Sequence, residues 1–253
     1  ISSRTARDEI YELTTTFNRM LSGLEDSSNR EKQFSSDVSH ELRTPIAVIK
    51  AESEFALKYG RTEDDLREGL THILEQAKFM TNLVSQLLDV ARLENAHDLN
   101  LVPVDVSLML TNMVHDYTRL CAENTEKKIS ITSTIQPNMR IVAHEVSLRR
   151  AITNLVDNAI KFTNSTIDIS AKLAGGELII TVTDNGIGIP REAQSSVFER
   201  FYRVDKSRSK ATGGTGLGLA IVKHIARIHN ARIKLESQVD VGTTITVTFP
   251  TAS

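Results

Sequence analysis

Apolar residues recur at alternating steps of three and four positions along two long stretches in the N-terminal part of the sequence. This spacing places side chains on one face of an α-helix and is typical of helices that pack side by side. The first stretch includes Ile10, Leu13, Phe17, Met20 and Leu24, weakens at Ser27 and Glu31, and returns at Phe34 and Val38. The second includes Leu66, Leu70, Ile73, Ala77, Met80, Val84, Leu87 and Ala91. The pattern predicts helices over about 8–58 and 62–95, arranged as an antiparallel hairpin.

The segment between these helices, residues 58–65, has the residues expected at a helix boundary. Gly60 suits the position after the first helix, and Thr62 suits the N-cap of the second, with acidic residues following at that helix's positive end. The apolar stripe of the second helix is widened by Leu74, Leu83 and Leu88. One hairpin cannot bury so wide a stripe, so the pattern favours two hairpins that join as a dimeric four-helix bundle.

A different pattern begins near residues 95–98, where helical periodicity gives way to alternating segments. It predicts helices over about 107–125, 145–163 and 216–229, and strands over about 128–135, 167–173, 178–182, 231–237 and 243–249. Gly175 and Gly176 predict a hairpin turn between the second and third strands. Helices on one face of a mixed or antiparallel sheet form an α+β sandwich, which is the fold class expected for this part.

Composition excludes several classes of protein. The 253 residues are 40% apolar and 25% charged, with a net charge of −2, so a soluble globular protein is indicated and nucleic-acid binding is not. A single cysteine, Cys121, cannot form an intramolecular disulfide and indicates a reducing compartment. No run approaches the roughly 20 apolar residues of a membrane span. Because the sequence begins without methionine, inside or just before a helix, we expect a fragment of a longer protein.

Three segments of the second half place polar or glycine residues where packing alone does not require them. In the first, Asn154, Asn158 and Lys161 lie at i, i+4 and i+7 and share one helix face. Amide oxygens can bind Mg²⁺, and a lysine can contact phosphate as a point charge. A solvated polar helix face explains this trio equally well.

The second segment, residues 184–190, contains Asp184, Gly186 and Gly188 at the end of a predicted strand. A carboxylate only accepts hydrogen bonds, so Asp184 could bind the exocyclic amine of adenine, and glycines let backbone approach a flat ring. An ordinary exit from a strand into a loop is the alternative for this segment taken alone.

The third segment, residues 213–222, places glycines at the start of an apolar helix, where free N–H groups can bind phosphate. It is neither a dinucleotide-binding fingerprint nor a Walker loop, because no strand leads into it and the terminal Lys-Ser/Thr pair is absent. The charged stretch before it, residues 203–212, is interpreted as a lid that ATP could order.

His40 lies in the segment SSDVSHELRTPI, residues 35–46, on the first predicted helix. At about 100° per residue it is rotated about 200° from both Val38 and Leu42, which predicts that it is exposed. Neutral imidazole is nucleophilic near pH 7 and can accept a transferred group. Pro45 lacks an N–H and predicts a kink just beyond the histidine. An isolated exposed histidine usually has only a surface role. Because the same chain contains a candidate nucleotide site, the role of acceptor of a transferred group is favoured over a surface role for His40.

In this order and spacing, the three glycine and polar segments resemble the N, G1 and G2 boxes of the ATP-binding fold shared by histidine kinases, gyrase, Hsp90 and MutL. Residues 198–203, FERFYR, resemble the F box of histidine kinases, and residues 35–46 resemble their H box. His144 stands where this family often has aspartate before the N-box helix. Residues 1–27 resemble, more loosely, the last helix of a HAMP signalling linker.

This resemblance implies three domains: the HAMP-like helix at 1–27, a dimerisation and phosphotransfer hairpin at 28–97, and a catalytic ATP-binding domain at 98–253. It implies that His40 accepts the γ-phosphoryl group of ATP, that Glu41 takes the proton from His40, and that Thr44 positions water when the partner is dephosphorylated.

The resemblance also implies roles at the nucleotide. Asn158 would bind Mg²⁺, with Asn154 near the phosphates, Lys161 and Arg203 at the phosphate tail, and Asp184 at adenine. Phe162 and Tyr202 would flank the nucleotide. The remaining residues of the implied site are Gly186, Gly188, Gly214, Thr215, Gly216, Leu217 and Gly218.

The implied partners are a second copy of the chain and the receiver domain of a response regulator, whose aspartate takes the phosphoryl group from His40. No nucleic acid is implied. A membrane is implied only through a missing N-terminal segment, which would make this chain the cytoplasmic portion of a membrane sensor. Two alternatives stay open: a form that acts mainly as a phosphatase, and a nucleotide-gated dimeric ATPase or scaffold without phosphohistidine chemistry.

Overall fold

The computed structural model describes residues 2–60, 62–94, 100–123, 128–204 and 214–251. The expected domain boundary at 97/98, Gly213 and most of the expected lid over 203–212 lie outside these residues. The chain forms two compact units, residues 1–80 and 81–253.

Two long helices form the N-terminal part, as the sequence predicts. Helix α1 spans Ser2–Tyr59 and α2 spans Glu63–Glu94; α1 continues through Pro45, so the proline does not end it. Thr62 caps α2: the Asp65 N–H donates to Thr62 Oγ1 at 3.1 Å, and the Thr62 N–H donates to Asp65 Oδ2 at 3.2 Å. This reciprocal pair is a capping box, and it confirms the N-cap predicted at Thr62.

The apolar stripe of the two helices is largely exposed to solvent. Met20 in the first stripe and Leu70 in the second are each 64% exposed. Other exposed apolar side chains in the described parts of α1 and α2 are Tyr11, Phe17, Leu21, Ile46, Phe55, Leu57, Tyr59, Leu66, Leu74, Val84 and Leu88. The side chains of Ile10, Leu13 and Leu24, at the start of the first stripe, lie outside the described part of α1. An exposed apolar stripe of this length marks an interaction surface.

The C-terminal part is built on a mixed sheet. Its elements in chain order are β1 (Val102–Asp105), α3 (Val106–Glu123), β2 (Ser130–Ile135), β3 (Arg140–Ala143), α4 (Glu145–Phe162), β4 (Thr166–Ala174), β5 (Glu177–Asp184), a 3-10 turn (Arg191–Ala193), α5 (Gly218–Ile228), β6 (Arg232–Gln238) and β7 (Gly242–Pro250). Five strands pair in the order β2-β4-β5-β7-β6; β2 and β4 are parallel and the other pairs antiparallel. Strands β1 and β3 form a separate antiparallel pair.

One face of the five-stranded sheet is apolar and carries the helices. Alternate residues of the central strand β5, Leu178, Ile180 and Val182, are buried with the apolar sides of α3, α4 and α5 in one core. The opposite face is polar, and Thr181 Oγ1 lies 3.1 Å from Thr246 Oγ1 across β5 and β7. This arrangement confirms the expected α+β sandwich.

Candidate active site

A cavity of about 710 Å³ opens at the C-terminal end of α4, beside the segment after β5 and the start of α5. That volume is within the usual range for a small-molecule site. The cavity brings together most of the nucleotide residues expected from the sequence: Asn154, Asn158, Lys161, Phe162, Asp184, Gly188, Tyr202, Arg203, Gly214, Thr215, Gly216 and Gly218.

Two expected residues do not line this cavity, Gly186 and Leu217. Leu217 is fully buried because it directly precedes α5, where its side chain packs in the interior. Gly186 acts through its backbone instead: its N–H donates to Asp184 Oδ1 at 2.8 Å. Nucleotide contact at Gly186 and Leu217 stays a prediction, and within the fold the Gly186 N–H orients the Asp184 carboxylate.

Helix α4 carries the polar face that the i, i+4, i+7 spacing predicts. Asn154 is buried, and its Nδ2 donates to the Arg150 carbonyl one turn earlier at 2.8 Å. This bond fixes the amide so that Oδ1 faces Gly218, where an added Cβ would lie 3.1 Å away. Asn158 follows one turn later, is half-buried and also lines the cavity. The two amides bring hard oxygen donors to one wall.

Two cationic side chains converge on the cavity near Gly214. Burial, together with the nearby Arg203 guanidinium, lowers the pKa of Lys161 to about 8. The Lys161 ammonium lies 5.1 Å from the centroid of the Phe162 ring. A Cβ on Gly214 would overlap this ammonium, so glycine leaves the space that the lysine occupies. Two positive charges held this close favour a multiply charged anion between them.

The segment after β5 is tied to the end of α4. Asn185 Oδ1 accepts hydrogen bonds from the Thr166 N–H at 2.9 Å, the Ser165 N–H at 3.1 Å and Thr163 Oγ1 at 2.8 Å. These three residues connect α4 to β4. Asn185 was not among the residues expected from the sequence, although its position directly after Asp184 is a usable signal.

The glycine-rich start of α5 is joined to the FERFYR segment. The Phe201 N–H donates to the Gly216 carbonyl at 2.9 Å, and the Leu217 N–H donates to Thr215 Oγ1 at 3.3 Å. Tyr202 and Arg203 follow Phe201 directly and reach the cavity wall. The contact therefore places the aromatic ring and the guanidinium beside the glycine loop.

The turn between β6 and β7 supplies a further wall, which the sequence did not indicate. Val239, Asp240 and Thr243 line the cavity. Gly242 lets this turn approach the end of β5, because an added Cβ there would overlap the Asp184 carbonyl. Ordinary turn residues otherwise give no indication that this turn faces a ligand site.

The candidate phospho-acceptor lies in the first unit, on α1. His40 is exposed, as predicted, and Glu41 is half-buried. Thr44 Oγ1 donates to the His40 carbonyl at 3.4 Å, so the hydroxyl lies one turn further along the same face. Pro45 is buried and contributes no backbone N–H to this turn.

Two family models match the chain in succession. Residues 30–96 match the His Kinase A (phospho-acceptor) domain, and residues 143–253 match the histidine kinase-, DNA gyrase B-, and HSP90-like ATPase. No helix in the described part of the chain combines the length and apolar character that a membrane crossing needs.

Curated relatives match along most of this chain. The sensor-like histidine kinase SenX3 of Mycolicibacterium smegmatis is 40% identical over 222 residues, which are 87% of this chain and 57% of the relative. The sensor histidine kinase YkoH of Bacillus subtilis is 33% identical over 245 residues, which are 96% of this chain and 53% of the relative. The chain thus spans little more than half the length of these relatives.

Solved structures share the fold. Full-length ShkA in complex with AMPPNP superimposes with a TM-score of 0.62 at 26% identity, covering 85% of this chain and 45% of that one. The histidine kinase AdeS of Acinetobacter baumannii gives a TM-score of 0.67 at 21% identity, covering 85% of this chain and 98% of that one. The chain matches a phospho-acceptor domain followed by an ATPase domain, and the relatives named above are sensor histidine kinases. The chain therefore belongs to the sensor histidine kinases of two-component signalling systems.

Proposed function

We propose that this chain binds Mg·ATP in the cavity, transfers the γ-phosphoryl group to His40, and passes it to an aspartate on the receiver domain of a response regulator. The observation that carries the proposal is the convergence of the Asn154 and Asn158 amides, the Lys161 and Arg203 cations and the Asp184 carboxylate on a single cavity. The solved relative ShkA, described in complex with AMPPNP, supports a nucleotide as the occupant.

Each wall of the cavity suits one part of the nucleotide. Asp184 accepts a hydrogen bond from the adenine amine, while Lys161 and Arg203 contact the phosphate tail. Asn158 is the proposed Mg²⁺ ligand and Asn154 lies near the phosphates, because amide oxygens are hard donors. When bound, Mg²⁺ supplies neutralisation of phosphate charge. Phe162 and Tyr202 flank the nucleotide, and the loop of Gly214, Thr215, Gly216 and Gly218 faces the phosphates with backbone N–H groups.

The acceptor chemistry uses His40 and its neighbour. A nitrogen of the neutral imidazole forms a bond to the γ-phosphorus as the bond from that phosphorus to the β–γ bridging oxygen breaks, leaving ADP. The proton on the other ring nitrogen passes to Glu41, which restores a neutral ring in the phosphohistidine. Receiver phosphorylation then breaks the nitrogen–phosphorus bond as a carboxylate oxygen bonds to the phosphorus, and the ring takes up a proton, which returns His40 to its starting form.

We propose a homodimer as the working unit, because pairing two hairpins covers the apolar stripe of α1 and α2. The proposed domain limits are 1–27, 28–97 and 98–253, and the matched family regions at 30–96 and 143–253 support the second and third. A HAMP-like role for 1–27 and attachment to a membrane through a segment outside this chain stay predictions.

The kinase proposal is tested by labelling with γ-³²P-ATP. His40→Ala should bind ATP but incorporate no acid-labile phosphate, because the acceptor nitrogen is gone. His115→Ala is the matched control, since His115 is another exposed histidine on a helix, and it should label as wild type does. Acid-labile label retained in His40→Ala would refute the assignment, and release of free phosphate without any phosphohistidine would favour the ATPase alternative.

A phosphatase activity toward the phosphorylated regulator is the second proposal. The Thr44 hydroxyl supports it, because it lies one turn from His40 on the same exposed face, where it can orient water. Thr44→Ala should lose dephosphorylation of the regulator while keeping autophosphorylation, and Thr44→Ser should keep both. Equal loss of both activities in Thr44→Ala would contradict a separate role in water positioning.

A further inference from the structure

Residues 184–190, which are the last residue of β5 and the loop after it and are called the 184–190 loop here, are attached to the end of β6 and to the turn between β6 and β7 by several hydrogen bonds. The Ile189 N–H donates to Ser237 Oγ at 2.8 Å, and the Asp240 N–H donates to the Ile187 carbonyl at 2.9 Å. Gln194 Nε2 donates to both the Ile189 carbonyl and the Ser237 carbonyl, each at 2.9 Å. Backbone N–H and carbonyl groups of the 184–190 loop are therefore both hydrogen-bonded to groups outside the loop.

The Ser237 hydroxyl is the centre of this connection. It donates to the Gly242 carbonyl at 2.9 Å and lies 2.9 Å from Thr243 Oγ1. A serine hydroxyl has one proton. Because Ser237 donates it to the Gly242 carbonyl, the Ser237 oxygen accepts hydrogen bonds from the Ile189 N–H and from the Thr243 hydroxyl. One side chain thereby links the 184–190 loop, the end of β6 and the start of β7. Neither Ser237 nor Gln194 lines the cavity itself.

The loop and the turn also approach each other closely at Gly188. This residue has a φ of +67°, and a Cβ there would overlap the Gln238 carbonyl. The positive φ and the nearby carbonyl both require glycine at this position. The close contact leaves little room for the loop to move relative to the turn between β6 and β7. The Ser237 and Gln194 bonds thus act on a segment that is already packed tightly.

We infer that Ser237 and Gln194 are positioning residues that hold the 184–190 loop, and with it the Asp184 carboxylate, in the geometry that recognises the amino group of adenine. This inference rests on the proposed function. Asp184 moves with the loop because the Gly186 N–H binds its Oδ1 at 2.8 Å. A displaced loop therefore displaces the acceptor atom that reads the base.

The effect should be specific to the base rather than to the phosphates. Adenine presents an amine donor at the position where a 6-oxopurine presents an acceptor, so a fixed carboxylate favours the first and disfavours the second. The phosphate end is bound from other elements, by Lys161 on α4 and the glycine loop before α5. Loosening the 184–190 loop should therefore reduce discrimination between bases more than it weakens phosphate binding.

The test compares dissociation constants for ADP and inosine diphosphate by titration calorimetry on the full chain. Ser237→Ala should lower the preference for ADP over inosine diphosphate roughly two- to tenfold, the range for one buried hydrogen bond. Ser237→Thr should restore the preference because it keeps a hydroxyl. Gln194→Met should lower it independently, which covers the case that Ser237→Ala folds poorly.

Two further variants separate positioning from general stability. Thr181→Val removes a hydroxyl from the opposite face of the same sheet and should leave the preference unchanged. In an Asp184→Asn background, Ser237→Ala should have no further effect on the preference, because the acceptor-only carboxylate is gone. Equal weakening of both nucleotides in Ser237→Ala, with wild-type preference intact, would overturn the inference alone. A wild-type chain with no preference for ADP would overturn the proposed function together with the inference.

Discussion

Two histidines meet at the start of α4, and their contacts predict that acid destabilises the catalytic unit. His144 caps the helix: the Ser147 N–H donates to His144 Nδ1 at 3.3 Å, and Ser147 Oγ lies 2.7 Å from the same nitrogen. The His144 N–H in turn donates to His229 Nε2 at 3.3 Å. His229 Nδ1 lies 2.9 Å from the Ile225 carbonyl, so it carries the proton and Nε2 is the acceptor.

Protonation of His229 places an N–H against the His144 N–H and breaks this contact. Burial lowers the pKa of His229; the Ile225 carbonyl opposes that shift and His144 adds to it. Because the folded pKa lies below the unfolded value, the neutral ring stabilises the fold above the unfolded pKa of about 6.5, and that stabilisation is lost as pH falls through the folded pKa. One such group changes the free energy of unfolding by at most about 1.4 kcal/mol per pH unit.

The measurement is urea unfolding of wild type and His229→Gln between pH 7.5 and 5, followed by circular dichroism. Glutamine keeps a carbonyl acceptor but does not titrate, so the variant should lose less stability on acidification than wild type. At pH 7.5 we expect His229→Leu to cost about 1–3 kcal/mol, because the His144 N–H loses its partner. The edge contact of the His229 ring with Phe249, with centroids 6.0 Å apart, adds about 0.5–1.5 kcal/mol to that loss. Parallel pH profiles for wild type and His229→Gln would refute the reasoning.

Three further predictions concern the site, the hairpin and the dimer. ADP affinity should fall as pH rises above about 8, where Lys161 loses its charge, and Lys161→Arg should flatten that dependence in calorimetry; an unchanged profile would contradict a phosphate contact. Thr62→Ala should lower stability by about 1 kcal/mol, measured by thermal melting, and Thr62→Ser should restore most of it. Leu70→Glu should shift the chain toward monomer in sedimentation equilibrium, whereas Leu120→Glu, at a comparably exposed leucine on α3, should not; equal behaviour of the two would count against pairing through the stripe.

The helical hairpin was predictable because its signals are local and repeated. Eight apolar residues of the second stripe lie on a single helix face. The start of α2 is marked by Thr62 and Asp65, which form the capping box. All five strands of the main sheet were predicted for the same reason, since alternating apolar residues cover most of each. The sandwich follows once these elements are assigned.

Strands β1 and β3 were missed because each has four residues, and β1 contains Pro103, which weakens a strand signal. The polar and glycine residues of the cavity were found because their types are unusual at their positions. Ser237 and Gln194 gave no such signal. Their importance depends on which distant backbone atoms they contact, 48 residues away in the case of Ser237 and Ile189, and this is set by the tertiary fold alone.

Asn185 has a consequence for the thermodynamics of ligand recognition. Its three accepted hydrogen bonds join the end of α4, the start of β4 and the 184–190 loop into one piece. The region proposed to bind the base and the region proposed to bind the phosphates are therefore fixed at one separation before any ligand arrives. A molecule that carries both groups loses its freedom of motion once, whereas separate adenosine and pyrophosphate each lose it in full. The intact nucleotide should accordingly bind more tightly than the product of its fragments' affinities suggests, and part of that chelate advantage resides in one asparagine side chain.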